Sequence, residues 1–134
     1  MIEISRTYRF CASHRFYRAE WSEEKNLEVF GRCALPHGHG HNYRMTVVIE
    51  GEPDPLTGMV VDLGPLDALV EREIVDPFDH HNLNVEVPYF AAIMPTTENM
   101  AKFALETLAP KLQSGRLASV TIVADEFLSA TAYR

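Results

Sequence analysis

The chain has 134 residues, of which 46% are hydrophobic, and this length is sufficient for a single folded domain over residues 1–134. Its formal net charge is −7, from 12 Lys and Arg against 19 Asp and Glu, and this excess of acidic groups argues against a nucleic-acid backbone or an anionic membrane as partner. No apolar run approaches the length of a membrane span and residues 1–8 lack the pattern of a signal peptide, so we expect a cytoplasmic protein whose two cysteines are free thiols.

The first half of the chain predicts strands separated by polar segments. Alternating apolar residues predict a strand over residues 2–14, and a clearer one over residues 39–50. Between them, residues 15–38 are polar and irregular and predict a long loop, which in a small domain is usually functional. A turn cluster at residues 51–58 then predicts that Met59 to Asp62 pair back as the second arm of a hairpin.

The second half predicts two helices. Pro65 suits the first turn of a helix with apolar residues at helical spacing, and Asp76-Pro77 predicts its end. Residues 78–95 predict a second long loop. Thr96 or Thr97 is then expected to cap a second helix.

The last segments predict the remaining strands. Residues 117–124 form a third long strand, and residues 129–133 are expected to continue it after a break. This order of elements predicts an α+β fold, in which an antiparallel sheet of about four strands carries two helices on one face. The edges of such a sheet are exposed, and pairing them between copies of the chain would produce an oligomer.

The histidines provide the first indication of chemistry. Because His39 and His41 are two residues apart at the start of a strand, both imidazoles point to the same face. His14 ends the first strand, so three imidazoles converge if the two strands are neighbours. Three histidines with an open fourth position are typical of a catalytic zinc centre. The alternative is a flexible His/Gly loop with weak metal binding, and His37 is expected to be a neighbour rather than a ligand.

Other candidate residues lie in the loops and at a strand end. Cys33 precedes His39 by six residues, and a thiol beside a metal or an imidazolium can act as base or nucleophile. Asp79 can orient the imidazole of His80 for proton transfer. Glu126, on an otherwise apolar strand face, could accept two hydrogen bonds from a guanidine-like heterocycle. Each of these has an ordinary structural alternative. Cys33 could be a small buried side chain, Asp79-His80 could belong to a polar loop, and Glu126 could be a surface carboxylate.

These residues belong to a series of motifs that covers the chain from about residue 5 to its end. In chain order the motifs are Phe10-Cys11-Ala12-Ser13-His14-Arg15, Asn26-Leu27-Glu28-Val29-Phe30-Gly31-Arg32-Cys33, His39-Gly40-His41-Asn42-Tyr43, Gly58-Met59-Val60, Asp79-His80, Asn82-Leu83, Val87-Pro88-Tyr89-Phe90 and Thr96-Thr97-Glu98-Asn99. Together they resemble the 6-pyruvoyl-tetrahydropterin synthase family. The resemblance implies the T-fold (tunnelling fold), in which strands of three subunits close one barrel. It also implies a homohexamer of two stacked trimers with active sites between subunits.

The resemblance further implies roles for single residues. The zinc ligands would be His14, His39 and His41. The catalytic cysteine would be Cys33, and Asp79 and His80 would complete the proton relay from a neighbouring subunit.

The pterin would contact Thr96, Thr97 and Glu98. The family also anchors the pterin with a glutamate near the end of the last long strand. Counting back from Tyr133 selects Asp125 for that role, whereas strand alternation selects Glu126, which we favour.

Two reactions share these motifs within the resembled family. One converts 7,8-dihydroneopterin triphosphate to 6-pyruvoyl-tetrahydropterin with elimination of triphosphate, and the other yields 6-carboxy-5,6,7,8-tetrahydropterin and acetaldehyde on the queuosine route. The second type commonly has Cys-x3-His-Gly-His, which would make His37 and His39 the ligands. The intact His39-Gly40-His41 after Cys33 favours the first type. A non-catalytic pterin- or zinc-binding protein is the third possibility.

Overall fold

The computed structural model describes all residues from Met1 to Arg134. One sheet contains five strands: β1 (Ile2–His14), β2 (His39–Gly51), β3 (His81–Asn82), β4 (Arg116–Asp125) and β5 (Leu128–Tyr133). Their order across the sheet is β3-β1-β2-β4-β5. β3 runs parallel to β1, and the other neighbouring strands are antiparallel.

Five α-helical segments accompany the sheet: α1 (Glu23–Phe30), α2 (Leu63–Val70), α3 (Asp76–Phe78), α4 (Leu83–Glu86) and α5 (Thr97–Leu108). A π-helical turn at Glu71–Val75 joins α2 to α3 without a break, and short 3-10 turns lie at Gly31–Ala34, Pro88–Ala91 and Ala109–Lys111. None of these helices has both the length and the apolarity that crossing a membrane requires. The α+β class predicted from the sequence is therefore confirmed.

The core lies on one face of the sheet. In β2 the alternation of Tyr43, Met45, Val47 and Ile49 places all four side chains on that face, where each is at most 1% exposed. The helices α2 and α5 share one continuous hydrophobic cluster with this face; their contributions are Leu66, Leu69, Val70, Met100, Ala101, Ala104, Leu105 and Leu108. The opposite face of β2 carries exposed or half-buried residues.

The expected antiparallel sheet of about four strands is wrong in two respects. The sheet has a fifth strand, and one of its pairings is parallel. The extra strand is β3, whose two residues are too few to show an alternating pattern in the sequence. Residues 128–133 do not extend β4, but turn back at Glu126-Phe127 and pair beside it as β5.

The expected loop over residues 15–38 contains a helix. Ser22 caps α1, because its side-chain oxygen accepts a hydrogen bond from the Lys25 N–H at 3.1 Å. The one buried residue of α1 is Asn26, a polar residue. Its side chain forms hydrogen bonds with the backbone of Arg18 and Ser22. The buried side of α1 is therefore polar, and the sequence lacks the apolar residues at helical spacing that would predict a helix here.

One other predicted element is absent, and one predicted helix end is shifted by a single residue. Met59 to Asp62 form no hairpin arm, and the edge of β2 that such an arm would occupy is taken by β4. The helix predicted to stop at Asp76-Pro77 continues to Phe78. Proline lacks the N–H for a helical hydrogen bond, and the π-helical turn at Glu71–Val75 changes the bonding pattern just before Pro77.

Candidate active site

Three imidazoles converge where β1 ends and β2 begins. The antiparallel register places His14 opposite His39 and Ala12 opposite His41. The Nε2 atoms of His14 and His39 are 3.1 Å apart. One ring nitrogen from each of the three histidines lies within 4.8 Å of the other two. The convergence predicted from strand alternation is thus confirmed.

The donor set suits a metal ion. Nitrogens that bind one zinc ion at 2.0–2.1 Å in a tetrahedron lie roughly 3.3 Å apart, close to the His14–His39 separation. His14 Nδ1 is 3.1 Å from the Pro95 carbonyl oxygen, which can only accept, so Nδ1 carries the proton. The lone pair is then on Nε2, the atom that faces His39. A bond of this kind commonly orients a metal-binding histidine.

Burial favours the neutral form of two of the three imidazoles, those of His14 and His41. Burial, together with the charges of His39 and His41, lowers the pKa of His14 to about 4. Burial is also the main cause that lowers the pKa of His41, although the carboxylate of Asp125 opposes it. A metal ion binds the neutral imidazole, so this environment favours coordination near neutral pH.

The low pKa of His14 predicts how the stability of the metal-free protein depends on pH. Between pH 6.5 and about 4, the unfolded chain binds a proton at this ring that the folded chain does not bind. We therefore expect the free energy of unfolding to be unaffected by His14 above pH 6.5 and to decrease as the pH falls through that window. Urea unfolding of metal-free protein from pH 7 to pH 5 checks this, and a His14→Gln variant should show a weaker decrease. An equal decrease in the two proteins would contradict it.

Cys33 lies beside the triad. Its Sγ is 4.0 Å from His39 Nε2, and both cysteines of the chain are free thiols. The 3-10 turn Gly31–Ala34 carries Cys33, and the Cys33 carbonyl oxygen accepts a hydrogen bond from the Phe16 N–H at 2.7 Å. A thiol and three potential metal ligands therefore share one site within a single chain.

The approach of the two strands depends on Gly38. This residue has a φ of +65°, and a Cβ there would lie 2.5 Å from the His14 carbonyl oxygen. Only glycine combines a positive φ with such a close backbone approach at little cost. Gly38 therefore determines how near His39 comes to His14.

We expect Gly38→Ala to weaken metal binding by about tenfold or more, because the backbone of a ligand strand must shift. The matched control is Gly58→Ala, where φ is +74° but no atom lies within 4 Å of the added Cβ. The control should lose about 1–2 kcal/mol from left-handed strain and keep its metal affinity. Titration with zinc and thermal unfolding of both variants measure this, and equal metal affinities would contradict the role of Gly38.

Asp79 and His80 lie at the sheet edge rather than at the triad. Asp79 Oδ1 accepts a hydrogen bond from the Cys11 N–H at 2.9 Å, and the His80 N–H donates to the Cys11 carbonyl at 2.5 Å. The His80 imidazole is 3.8 Å from the Asp79 carboxylate, and its side chain is 81% exposed. No hydrogen bond or ion pair links this pair to Cys33 within one chain.

The helix α5 brings the predicted pterin-contacting segment near the triad. Thr96 caps α5, with its hydroxyl accepting from the Asn99 N–H at 3.2 Å, as predicted. Thr97 is buried and Glu98 is exposed in the first turn. Because the carbonyl of the preceding residue, Pro95, binds the His14 ring, the start of α5 lies next to the three histidines.

Asp125 and Glu126 occupy the end of β4 and the turn after it, and both are exposed. A register shift lies between Val123 and Asp125, so the alternation that selected Glu126 does not run unbroken to that residue. Asp125, and not Glu126, is among the charges that act on His41. Its Oδ1 also accepts from the Phe127 N–H at 2.7 Å, which fixes its carboxylate at the turn.

Some neighbours of the triad were missed in the sequence. The Tyr43 hydroxyl is 3.2 Å from His14 Nδ1, and burial raises the pKa of that phenol. Its position two residues after His41 on the same strand face was an available signal. The contact with the Pro95 carbonyl gave no signal in the sequence, because only the fold brings this backbone acceptor, 81 residues away along the chain, next to His14. His37 is exposed and outside the triad, so the cluster consists of His14, His39 and His41.

Comparison with known proteins identifies the relatives of this chain. The family model described as 6-pyruvoyl tetrahydropterin synthase matches residues 3–134. The 6-pyruvoyl tetrahydrobiopterin synthase of Homo sapiens is 46% identical over 120 residues, covering 90% of this chain and 83% of the relative. The 6-carboxy-5,6,7,8-tetrahydropterin synthase of Rickettsia conorii is 27% identical over 127 residues, covering 84% and 83%.

A solved structure extends the agreement to the fold. The Caenorhabditis elegans 6-pyruvoyl tetrahydropterin synthase superposes with a TM-score of 0.93 at 34% sequence identity, covering 99% of this chain and 95% of that one. The family model and the human relative each cover most of the chain. The chain therefore belongs to the 6-pyruvoyl tetrahydropterin synthase family.

Proposed function

We propose that the protein is a lyase that converts 7,8-dihydroneopterin triphosphate to 6-pyruvoyl-tetrahydropterin with elimination of triphosphate. The observation that carries this proposal is the position of the Cys33 thiol, 4.0 Å from one of three converging imidazoles. The identity of 46% to a 6-pyruvoyl tetrahydrobiopterin synthase supports it. The reaction needs no external oxidant, since the substrate's side chain is oxidised while its own ring is reduced.

We propose that the metal is zinc, held by His14, His39 and His41. When bound, zinc supplies a Lewis acid next to the hydroxyl groups of the substrate side chain. Cys33, as thiolate, removes a proton from carbon and returns one to another position. The fixed turn at Gly31–Ala34 determines which protons the sulfur can reach.

The remaining relay is proposed to come from another subunit. His80 takes up and donates protons, and Asp79 orients its imidazole. Because the His80 side chain is 81% exposed and unconnected to Cys33 in its own chain, it is available to a neighbouring copy. On the side that faces away from β2, residues 2–11 of β1 have no strand partner, and the outer edge of β5 has none either, which supports the proposed homohexamer.

For the pterin ring we propose an acidic anchor at the end of β4 together with Thr96, Thr97 and Glu98. The influence of Asp125 on His41 favours Asp125, and the sequence-based prediction of Glu126 is the alternative. A carboxylate here can accept two hydrogen bonds from the guanidine-like edge of the ring and fix its orientation. Comparing KM for Asp125→Asn and Glu126→Gln distinguishes the two, because loss of the anchor raises KM far more.

The second candidate is the 6-carboxy-5,6,7,8-tetrahydropterin synthase reaction, which one relative at 27% identity performs by its name. The geometry disfavours it, because His37 stands outside the cluster and the spacing from Cys33 to the first strand ligand is therefore six residues. A pterin- or zinc-binding protein without activity would need no thiol beside the triad.

The two free cysteines also support the proposed cytoplasmic location.

The test is one incubation of zinc-loaded protein with 7,8-dihydroneopterin triphosphate. Mass spectrometry identifies the pterin, and an enzymatic assay measures acetaldehyde. We expect a pyruvoyl pterin without acetaldehyde. A carboxy pterin with equimolar acetaldehyde would replace the proposed product, and unchanged substrate would contradict both reactions.

A further inference from the structure

The turn that carries Cys33 is held at two successive carbonyl groups. The Phe16 N–H donates to the Cys33 carbonyl at 2.7 Å, and Arg15 Nε donates to the Ala34 carbonyl at 2.9 Å. Both donors follow His14 directly along the chain. The end of the first ligand strand is thereby tied to the turn that contains the thiol.

The side chain of Arg15 is half-buried and makes no ion pair, in contrast to Arg6, Arg72 and Arg116, which pair with carboxylates. Its guanidinium carbon lies 3.8 Å from the centre of the Tyr17 ring. Stacking on an aromatic face fixes the guanidinium plane, and that plane determines the direction of the Nε–H. The observed direction is toward the Ala34 carbonyl.

The backbone of Arg15 is fixed independently of its side chain. The Arg15 N–H donates to Asn84 Oδ1 at 2.7 Å, and Asn84 Nδ2 donates to the Arg15 carbonyl at 2.8 Å. Asn84 is itself held, because its N–H donates to Asn82 Oδ1 at 3.1 Å. One amide side chain thus satisfies both backbone groups of Arg15 just beyond the end of β1.

We propose that Arg15, with Asn84 fixing its backbone, is a positioning residue that keeps Cys33 within reach of His39. The connection runs from Asn84 to Arg15, from the guanidinium to the Ala34 carbonyl, and through the rigid turn to the sulfur. The effect of Arg15 on kcat rests on the proposed function, whereas its effect on the position of the Cys33 thiol does not. A displacement of about 1 Å of a reacting group can cost on the order of a hundredfold in rate.

The test uses Arg15→Gln and Arg15→Lys in the full chain, with Arg72→Gln as the matched control at an exposed helical arginine. We expect Arg15→Gln to lower kcat by about tenfold to a hundredfold with a much smaller change in KM and an unchanged zinc content. Arg15→Lys keeps one donor but not the stacked plane, so it should recover part of kcat. Arg72→Gln should match the wild type.

The readout that needs no turnover is the rate at which iodoacetamide alkylates Cys33 in a Cys11→Ala background, where it is the remaining thiol. Cys33 should be alkylated severalfold faster in Arg15→Gln than in the Cys11→Ala parent, because the turn loses one of its two hydrogen bonds to the segment after His14. Asn84→Asp removes the donor to the Arg15 carbonyl and should change the rate in the same direction by less. Unchanged alkylation in both variants, or a loss of zinc equal to the loss of kcat, would overturn the proposal. If the wild type releases no triphosphate, the proposed function fails while the alkylation rates still decide on Arg15.

Discussion

Replacing Cys33 with alanine is expected to lower kcat by about a thousandfold while zinc content and thermal stability stay near those of the wild type. The reason is that the thiol lies 4.0 Å from His39 Nε2, outside the cluster of three nitrogens that suits a metal ion. Removing the sulfur therefore deletes the proposed base and leaves the proposed ligands in place. Steady-state triphosphate release and metal analysis of the same preparation measure the two effects.

The matched control is Cys11→Ala. Cys11 is also a half-buried free thiol, and its backbone, rather than its side chain, binds Asp79 and His80. The kcat of Cys11→Ala should stay close to that of the wild type. Near-full activity in Cys33→Ala would contradict the thiolate role, and zinc loss in that variant would mean that the sulfur is a ligand.

Replacing His41 with alanine is expected to weaken zinc binding by more than about a hundredfold and to abolish turnover. His41 supplies one of only three nitrogens in the cluster, and two imidazoles do not complete a stable site. Competition with a chelator of known affinity measures the change, and thermal unfolding should show a smaller shift on adding zinc than in the wild type.

His37→Ala is the control for this variant, because His37 lies in the same His/Gly segment but is exposed and outside the cluster. It should bind zinc as the wild type does. Weaker binding in His37→Ala than in His41→Ala would instead support the pair His37 and His39, and with it the spacing typical of 6-carboxy-tetrahydropterin synthases.

The parts of the fold that follow local periodicity could be predicted from the sequence. The strands predicted over residues 2–14, 39–50 and 117–124 carry apolar residues at alternate positions over much of their length, because one face of the sheet is buried and the other is largely exposed. The helix α1 could not be recognised because its buried residue is Asn26, whose contacts are hydrogen bonds rather than apolar packing. β3 was equally hidden, since its pairing with Ala12 and Ser13 depends on a distant segment.

The same division applies to the site. His39 and His41 could be paired by strand spacing, and His14 joined them because β1 and β2 are in register at their ends. The proximity of Cys33 depends on a 3-10 turn, a left-handed Gly38 and two hydrogen bonds from Arg15 and Phe16. None of these has a periodic signature. The register shift before Asp125 is likewise a local departure from the alternation that had favoured Glu126.

The most direct measurement is a 31P NMR time course of 7,8-dihydroneopterin triphosphate with the zinc-loaded protein, paired with mass spectrometry of the pterin. We expect one inorganic triphosphate to appear for each 6-pyruvoyl-tetrahydropterin formed, and both products to form about a thousandfold more slowly with Cys33→Ala. A substrate spectrum that does not change, or triphosphate release that is equally fast with Cys33→Ala, would contradict the assignment of the thiol and the three histidines to a single catalytic centre.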